Sequence, residues 1–329
     1  MAADGGTKAV VAALLANTGI AVLKFLAFAL TRSSSMLAEA IHSVADAGNQ
    51  ALLLLGGKRA EREATEEHPF GYGRERYIYA FIVSIVLFSV GGLFALYEAY
   101  HKYHELSGGH GSEESLLTSR WWWVPLAVLS GAIVMEAFSF RTAIVESNKV
   151  RGDASWVHFV RRAKAPELPV ILLEDLAALL GLVFALIGVG VSLLTQDLIW
   201  DVVGTAAIGV LLVAVAITLA LETKSLLLGE SASPEAQRNI ADALDNATGI
   251  ERIIHMKTLH LGPEELLVAV KVGVPRNVSA TQLAESINAA ERAIREAEPT
   301  AQAVYIEPDI YVEDHIPDPR PEPPSAPAH

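Results

Sequence analysis

The sequence predicts an α-helical membrane protein with six transmembrane helices followed by a small α+β cytosolic domain. Of its 329 residues, 52% are hydrophobic and only 19% are charged, which is too apolar for an ordinary soluble protein of this length. Six apolar segments are long enough to cross about 30 Å of hydrocarbon. Helix and strand patterns of a soluble domain follow the last of these segments.

The six apolar segments set the expected limits of the spans. The N-terminus leads straight into the first segment without a short apolar core and cleavage site, so we expect the first span to be retained. The third and sixth segments are the plainest, because they contain almost no charge. The segments run approximately over residues 9–31, 33–57, 77–97, 121–140, 168–194 and 202–222.

The distribution of Lys and Arg predicts the orientation in the membrane. Loop 58–76 contains five of these residues and loop 141–166 contains six, whereas 101–120 contains two and 195–201 none. Basic loops are retained on the cytoplasmic side. Both termini are therefore expected in the cytoplasm, and a bacterial cytoplasmic membrane is the expected location.

The second span carries an unusual polar stripe. Glu39, His42, Asp46 and Asn49 follow spacings of 3, 4 and 3, which places them along one face of a helix. Ionisable residues at membrane depth are costly and indicate a functional site.

The fifth span contains a second polar feature, the adjacent carboxylates Glu174 and Asp175. Two carboxylates in hydrocarbon need protons or a cation between them. Ala177, Gly181 and Ala185 recur every four residues beside them, a spacing that lets membrane helices approach closely. A close partner helix is expected there.

If the partner is the second span, His42 and Asp46 meet Glu174 and Asp175 at one buried site. One imidazole with two or three carboxylates suits Zn²⁺, with Mn²⁺ or Fe²⁺ as alternatives, and the absence of cysteine argues against soft Cu(I). The competing interpretation is a hydrogen-bonded polar cluster that holds the helices together. Glu39 is a weaker candidate, and pore lining or solvation is as good an interpretation for it.

Three further polar residues in the spans are interpreted structurally. Lys24 lies near the outer end of the first span, so its side chain is expected to reach the membrane surface. Asn17 and Glu136 have no identified partner in the sequence. A structural role is the default for both.

The residues after the sixth span predict the order αββαβ. Ser233-Pro234-Glu235 is typical of a helix start, and Ser279 with Gln282 forms a capping-box pattern. Valines alternate along the predicted strand 265–274, as on a half-buried strand. The other predicted elements are a helix to about Ala247, a strand over 252–261, a helix up to Pro299 and a strand over 303–312.

The expected domain limits follow from these patterns. A transmembrane domain covers 1–229, a cytosolic domain 230–314, and a Pro-rich tail, 315–329, is expected to be disordered. The net charge is −13 and residues 230–329 contribute −9 of it, so a nucleic-acid partner is excluded.

Residues 19–56, followed by HPFGYGRERY at 68–77, resemble the cation diffusion facilitator family of metal transporters. The fifth span, LPVILLEDLAALLG, and the segment ALETKSLLLGESASPE after the sixth resemble the branch of that family that includes mammalian zinc transporter nine. The resemblance covers all six spans and the C-terminal domain.

The resemblance implies a metal site built by one ligand pair on the second span and another on the fifth. His42 and Asp46 match the first pair and Asp175 matches half of the second. Ile171 occupies the remaining position and cannot bind metal, so Glu174 is expected as the fourth ligand beside His42, Asp46 and Asp175.

The resemblance also suggests a weaker second site. It would lie in the loop after the second span, where His68 is present but Tyr72 occupies the second histidine position. Independently of the resemblance, His255, His260, Glu307 and Asp309 in the predicted cytosolic domain have side chains that can bind metal and fall on or beside predicted strands, but a surface role is the more common interpretation for such residues. His101, His104 and His110 fall in an outer loop and are interpreted as solvated.

The expected function is efflux of a divalent metal, with Zn²⁺ first, by alternating access and proton antiport. The resemblance implies a homodimer. No cofactor other than the transported metal is expected. An intramembrane hydrolase is disfavoured because no HExxH-like motif is present, and a membrane-anchored scaffold or metal sensor without transport is the rival from another class.

Overall fold

The computed structural model is mainly helical and describes residues 2–31, 34–107 and 122–312, with the side chains of 6–30, 40–107 and 122–312. It divides into two compact units, one formed mainly by residues up to Gly229 and the other mainly by residues from Glu230 onward. Each unit is described by itself. The predicted Pro-rich tail, 315–329, lies outside the described residues.

The first unit is a bundle of long helices. A seven-residue π-helical segment interrupts the third apolar stretch. The elements are α1 (Ala2–Thr31), α2 (Ser34–Ala60), α3 (Glu75–Val86), the π segment (Leu87–Leu93), α4 (Phe94–Ser107), α5 (Trp123–Arg151), α6 (Trp156–Arg162), α7 (Glu167–Thr195) and α8 (Ile199–Leu228).

Five stretches of the described chain are long and apolar enough to cross a membrane, by length and composition. They are Gly6–Leu30, Glu75–Ser107, Trp123–Arg151, Glu167–Thr195 and Ile199–Leu228. Helix α2 has 27 residues, which is long enough to cross a membrane. It is not one of these five stretches, because its polar stripe makes it less apolar than they are.

Several helices extend beyond their predicted limits. The predicted third and fourth spans ended at residues 97 and 140, where apolar sequence gives way to charge, whereas the helices continue to Ser107 and Arg151. Lys, Arg and Glu are good helix formers, so loss of hydrophobicity marks the end of burial and not of the helix. Helix α5 ends at Gly152, whose φ of 57° suits glycine.

A short helix, α6, occupies the basic loop before the fifth span and was not predicted. The Ser155 hydroxyl caps it by accepting a hydrogen bond from the backbone N–H of His158, as expected of an N-cap. The Arg151 guanidinium lies over the Trp156 ring at 4.4 Å from its centroid.

Helix α7 has three long helices as neighbours. Helix α7 packs against α1, α5 and α8, and α1 packs against α2 and α5. Its first half is apolar on the side of Ile171, which is fully buried in the main hydrophobic cluster. At the start of α7, Glu167 forms an ion pair with Arg76 of α3 at 2.6 Å. The first half of α7 is thus held by apolar neighbours and by an ion pair at its start.

The second unit contains a three-stranded sheet and two helices. Its elements are α9 (Pro234–Asp245), β1 (Arg252–Gly262), β2 (Glu265–Gly273), α10 (Ala280–Ala297) and β3 (Ala301–Asp309). The strand order is β1-β2-β3, and β2 and β3 are parallel. The parallel pair is possible because α10 provides the crossover between the two strands.

The local signals in this unit act as the sequence predicted. Ser233 caps α9 by accepting a hydrogen bond from the N–H of Ala236, and Ser279 and Gln282 form a complete capping box at α10. Along β2, Leu266, Val268, Val270 and Val272 are buried and alternate with more exposed residues. This buried face packs with the apolar stripe of α10 in one core.

Candidate functional site

The polar stripe of α2 faces the interior of the bundle along its central part. His42 and Asp46 are half-buried, and Nε2 of His42 lies 3.7 Å from Oδ2 of Asp46. Asn49, one turn further on, is buried. The predicted i, i+4 pair is therefore formed within one helix. Glu39 belongs to α2, but its side chain lies outside the described residues.

The two adjacent carboxylates of α7 turn to different neighbours. The amide Nδ2 of Asn49 donates a hydrogen bond of 2.9 Å to Oε1 of Glu174. The hydroxyl of Ser139 on α5 donates a hydrogen bond of 2.6 Å to Oδ2 of Asp175. Consecutive helix positions differ by about 100°, so Glu174 faces the second span while Asp175 faces the fourth.

A cavity of about 60 Å³ lies between these helices. A cavity needs about 10–15 Å³ to hold one water molecule, so this one can contain a small ion with part of its hydration shell. Small and apolar residues of α7 and α8 complete its wall. Its polar lining comprises Asn17, Lys24, His42, Ser43, Asp46, Glu136 and Glu174.

Three buried carboxylates around this region have unsatisfied oxygen atoms. Within the described chain, Oε2 of Glu174, Oδ1 of Asp175 and Oε1 of Glu136 have no hydrogen-bond partner. All three residues are at most 3% exposed. Buried oxygen atoms without donors are costly, and a cation would satisfy them.

The side chains do not form a closed coordination shell as they stand. Among the residues that the structure describes, no three His, Asp or Glu side chains lie close enough together to hold a metal ion. His42, Asp46 and Glu174 line one cavity, whereas Asp175 is not part of its lining. Side-chain rotation or a helix movement must bring ligands together for metal to bind.

The small residues predicted to admit a close helix face this cavity. Ala177, Gly181 and Ala185 are all part of its wall, and a Cβ on Gly181 would lie 3.6 Å from Ile208 of α8. The close approach between α7 and α8 occurs further along, at Gly188 and Gly204.

Sequence reasoning missed the π segment, which borders the site. A Cβ on Gly91 would lie 3.6 Å from Cε1 of His42 and 3.5 Å from Leu212. The His42 ring therefore packs against a widened turn of the third span, and such π segments are frequent at functional sites. The adjacent glycines Gly91 and Gly92 were the available sequence signal.

The fold corrects the structural interpretation of Lys24 and supports that of Asn17. Lys24 was expected to reach the membrane surface, but it is only 4% exposed and lines the cavity. Its position on the interior face of α1 places it there. Asn17 has a partner after all, because its Nδ2 donates to Oε1 of Gln50.

The loop after α2 does not present two histidines. The rings of His68 and Tyr72 are in edge-to-face contact at 4.7 Å, and the Arg62 guanidinium lies over the Tyr72 ring. Tyr72 therefore has a packing role at the position where a second ligand would be needed.

The outer histidines are held by local contacts at the end of α4. His101 lies 3.5 Å from Glu105, and the His104 ring contacts Tyr100. His110 lies outside the described residues.

The acidic candidates of the second unit are paired with a lysine. Glu307 and Asp309 on β3 lie 3.0 and 3.1 Å from Nζ of Lys271 on β2. These two carboxylates raise the pKa of Lys271 above its usual value. His260 is buried and His255 is half-buried. The interpretation of Glu307 and Asp309 as ordinary surface charges fits this geometry.

Comparison with known proteins places the bundle in a sequence family. Residues 10–228 match the model of the cation efflux transmembrane domain. The proton-coupled zinc antiporter SLC30A9, mitochondrial, of Homo sapiens is 32% identical over 265 residues, which are 78% of this chain and 44% of that protein. Metal tolerance protein C4 of Arabidopsis thaliana is 26% identical over 258 residues, which are 78% of this chain and 54% of that protein.

The chain therefore spans about half the length of these two relatives. Among solved structures, a C-terminal domain of MamM is similar to 23% of this chain over 92% of its own length, with 19% identity and a TM-score of 0.22.

Proposed function

The chain belongs to the cation efflux transmembrane domain family, and from that premise we propose that it exports a divalent metal cation from the cytoplasm. Members of this family are transporters and not enzymes. We therefore assign the buried polar groups to the binding of a transported ion. The observation that carries the proposal is the cavity that His42, Asp46 and Glu174 line beside buried carboxylate oxygens without donors.

The proposed metal ligands are His42, Asp46, Glu174 and Asp175. The geometry supports Glu174 more directly, because it lines the cavity, while Oδ2 of Asp175 accepts the Ser139 hydrogen bond. Asp175 joins the coordination when this hydrogen bond is released. One imidazole with carboxylate oxygens suits Zn²⁺ first, and Mn²⁺ or Fe²⁺ as alternatives.

The proposed membrane arrangement has six spans, with α2 as the second. Helix α2 is long enough to cross, and its polar residues face the interior instead of lipid, which offsets its lower hydropathy. The proposed mechanism is alternating access, in which the helices around the cavity open it to one side and then to the other.

Proton antiport and a homodimer belong to the proposal as well. Ligands must lose protons to bind metal, so metal binding and protonation exclude each other at His42 and the carboxylates. The name of the human relative includes proton coupling and zinc, which supports the proposal of proton antiport and that of Zn²⁺ as the first substrate. The dimer rests on the family resemblance.

The test is metal uptake by proteoliposomes that contain the purified chain. Zn²⁺, Mn²⁺, Fe²⁺, Co²⁺ and Ni²⁺ are compared with and without an imposed pH gradient. We expect saturable uptake, fastest for Zn²⁺, that responds to the gradient. Loss of uptake is expected in Asp46→Asn and Glu174→Gln, whereas Glu105→Gln, an exposed carboxylate on α4, serves as the control.

The variants also separate the ligands from one another. If Asp175→Asn abolishes uptake and Glu174→Gln does not, α7 must rotate to bring Asp175 into the cavity when metal binds, because Asp175 does not line the cavity in this structure. Unchanged uptake in all three variants, Asp46→Asn, Glu174→Gln and Asp175→Asn, would contradict the proposed metal site. Metal binding without uptake of any of the five ions would favour the scaffold or sensor.

A further inference from the structure

Two charged residues beyond the four proposed ligands enter the same cavity. Glu136 comes from α5, the fourth proposed span, and Lys24 from α1, and they are 1% and 4% exposed. Both line the cavity with His42, Asp46 and Glu174. Charged residues at membrane depth are rare and costly, so two that converge on one cavity of about 60 Å³ require an explanation.

One oxygen of the Glu136 carboxylate has no donor in the helix packing. This oxygen, Oε1, is buried and has no hydrogen-bond partner among the described residues. A carboxylate that only joined helices would have donors on its oxygens. Ser139, one turn along the same helix, does join two helices, because its hydroxyl donates a hydrogen bond to Asp175 of α7.

The groups around Glu136 would carry strongly unbalanced charge if all were ionised. The carboxylate of Glu136 would be repelled by Asp46, Glu174 and Asp175, and Lys24 is the opposing charge beside it. One ammonium can offset only one of these four carboxylates. A divalent cation brings two positive charges into the same volume and satisfies more oxygen atoms than an ammonium does.

We propose that Glu136 is a further metal-binding carboxylate of this cavity, and that Lys24 provides the resident positive charge that the entering divalent cation displaces. This inference rests on the proposed function. Glu136 therefore adds an oxygen ligand from the fourth proposed span to those that Glu174 and Asp175 provide from the fifth.

The role of Lys24 follows from charge balance. With no metal bound, its ammonium reduces the repulsion among the carboxylates. When a divalent cation enters, the ammonium is repelled and moves away from them. Lys24 thus weakens the equilibrium binding of the metal ion. It also lowers the free-energy cost of the conformational change that returns the empty site to the cytoplasmic side.

The test is Zn²⁺ titration of the purified full chain in detergent, followed calorimetrically and by the metal-induced rise in melting temperature. Glu136→Gln should weaken Zn²⁺ binding by at least about tenfold, since changes to groups that merely support a metal site already cost this much. Glu136→Asp should restore binding in part. Lys24→Met should bind Zn²⁺ several-fold more tightly than the wild type but transport it more slowly.

Melting temperatures without metal keep a folding defect separate from a binding defect. Glu136→Gln removes a buried charge and should be at least as stable as the wild type without metal, while its stabilisation by Zn²⁺ is lost. Glu105→Gln is the control for both measurements.

The inference is overturned if Glu136→Gln binds Zn²⁺ with wild-type affinity, or if Lys24→Met leaves that affinity unchanged. Failure of the wild type itself to bind any of the divalent ions would overturn the proposed function, and this inference with it.

Discussion

At the residue scale, the site depends on how two adjacent carboxylates are separated. Glu174 receives the Asn49 amide and Asp175 receives the Ser139 hydroxyl, so each has one satisfied and one unsatisfied oxygen. The satisfied oxygen anchors the side chain to a neighbouring helix. The other oxygen of each carboxylate has no donor within the described chain, and the helix that each carboxylate faces distinguishes the two residues.

Replacing Ser139 by alanine tests the anchoring of Asp175. The variant leaves Oδ2 of a fully buried aspartate without a donor, which should destabilise the chain by about 1–3 kcal/mol. The measurement is chemical denaturation in detergent. Ser89→Ala removes an exposed hydroxyl that bonds to the backbone of its own helix and should have little effect. Equal losses in the two variants would contradict the anchoring role.

Lys271 gives a pH dependence in the second unit. Its carboxylate partners on β3 raise its pKa above the usual 10.5, so the folded state keeps this proton to higher pH than the unfolded state. The stabilisation is present in full below the usual pKa and is lost as pH rises through the raised value.

The check on Lys271 is calorimetric unfolding of the full chain across this alkaline range. The wild type should lose stability of the second unit as the pH rises, and Lys271→Met should be less stable than the wild type at neutral pH but less sensitive to alkali. A parallel alkaline loss in both proteins would exclude Lys271 as its source.

At the element scale, glycine determines how closely α7 and α8 approach. A Cβ on Gly188 would lie 2.9 Å from the carbonyl oxygen of Trp200, and a Cβ on Gly204 would lie 3.0 Å from that of Phe184. These obstacles are backbone atoms, which cannot move aside as a flexible side chain can. The two helices therefore need both glycines to pack at this distance.

A pair of alanine substitutions on α7 tests this close approach. Gly188→Ala should destabilise the bundle by about 1–3 kcal/mol through overpacking. Gly190→Ala meets nothing within 4 Å and should be neutral or slightly stabilising, because alanine is the better helix former. Thermal unfolding in detergent compares the two, and similar melting temperatures would show that the approach is not limiting.

At the scale of the whole molecule, the distribution of charge predicts one orientation in the membrane. The loop after α2 is rich in Arg and Lys, whereas the connection between α7 and α8 contains neither. The chain has no cysteine, so an introduced cysteine is the only reactive thiol. This property makes the orientation directly measurable.

Single-cysteine labelling in intact cells tests the orientation. Glu66→Cys and Asp197→Cys place thiols at exposed positions in the two connections. A membrane-impermeant maleimide added outside should label Asp197→Cys readily and Glu66→Cys only after lysis. The reverse pattern would invert the proposed topology and the direction of transport.

The sequence by itself determined where the long helices lie, where α9 and α10 are capped and which side chains share a face of α2, although it did not predict α6 or the π segment. Ser233, Ser279 and the His42–Asp46 pair were predictable because a cap or an i, i+4 spacing depends on a few consecutive residues. The apolar windows located five of the proposed spans in the same way.

Only the tertiary structure decided which faces meet. Glu174 rather than Asp175 lines the cavity, and Lys24 and Glu136 join it from α1 and α5, although no sequence pattern connects those two helices. The physical reason is that a side chain's neighbours depend on the rotation and packing of several helices together. Hydrophobic periodicity predicts a buried face, but not the helix against which it is buried.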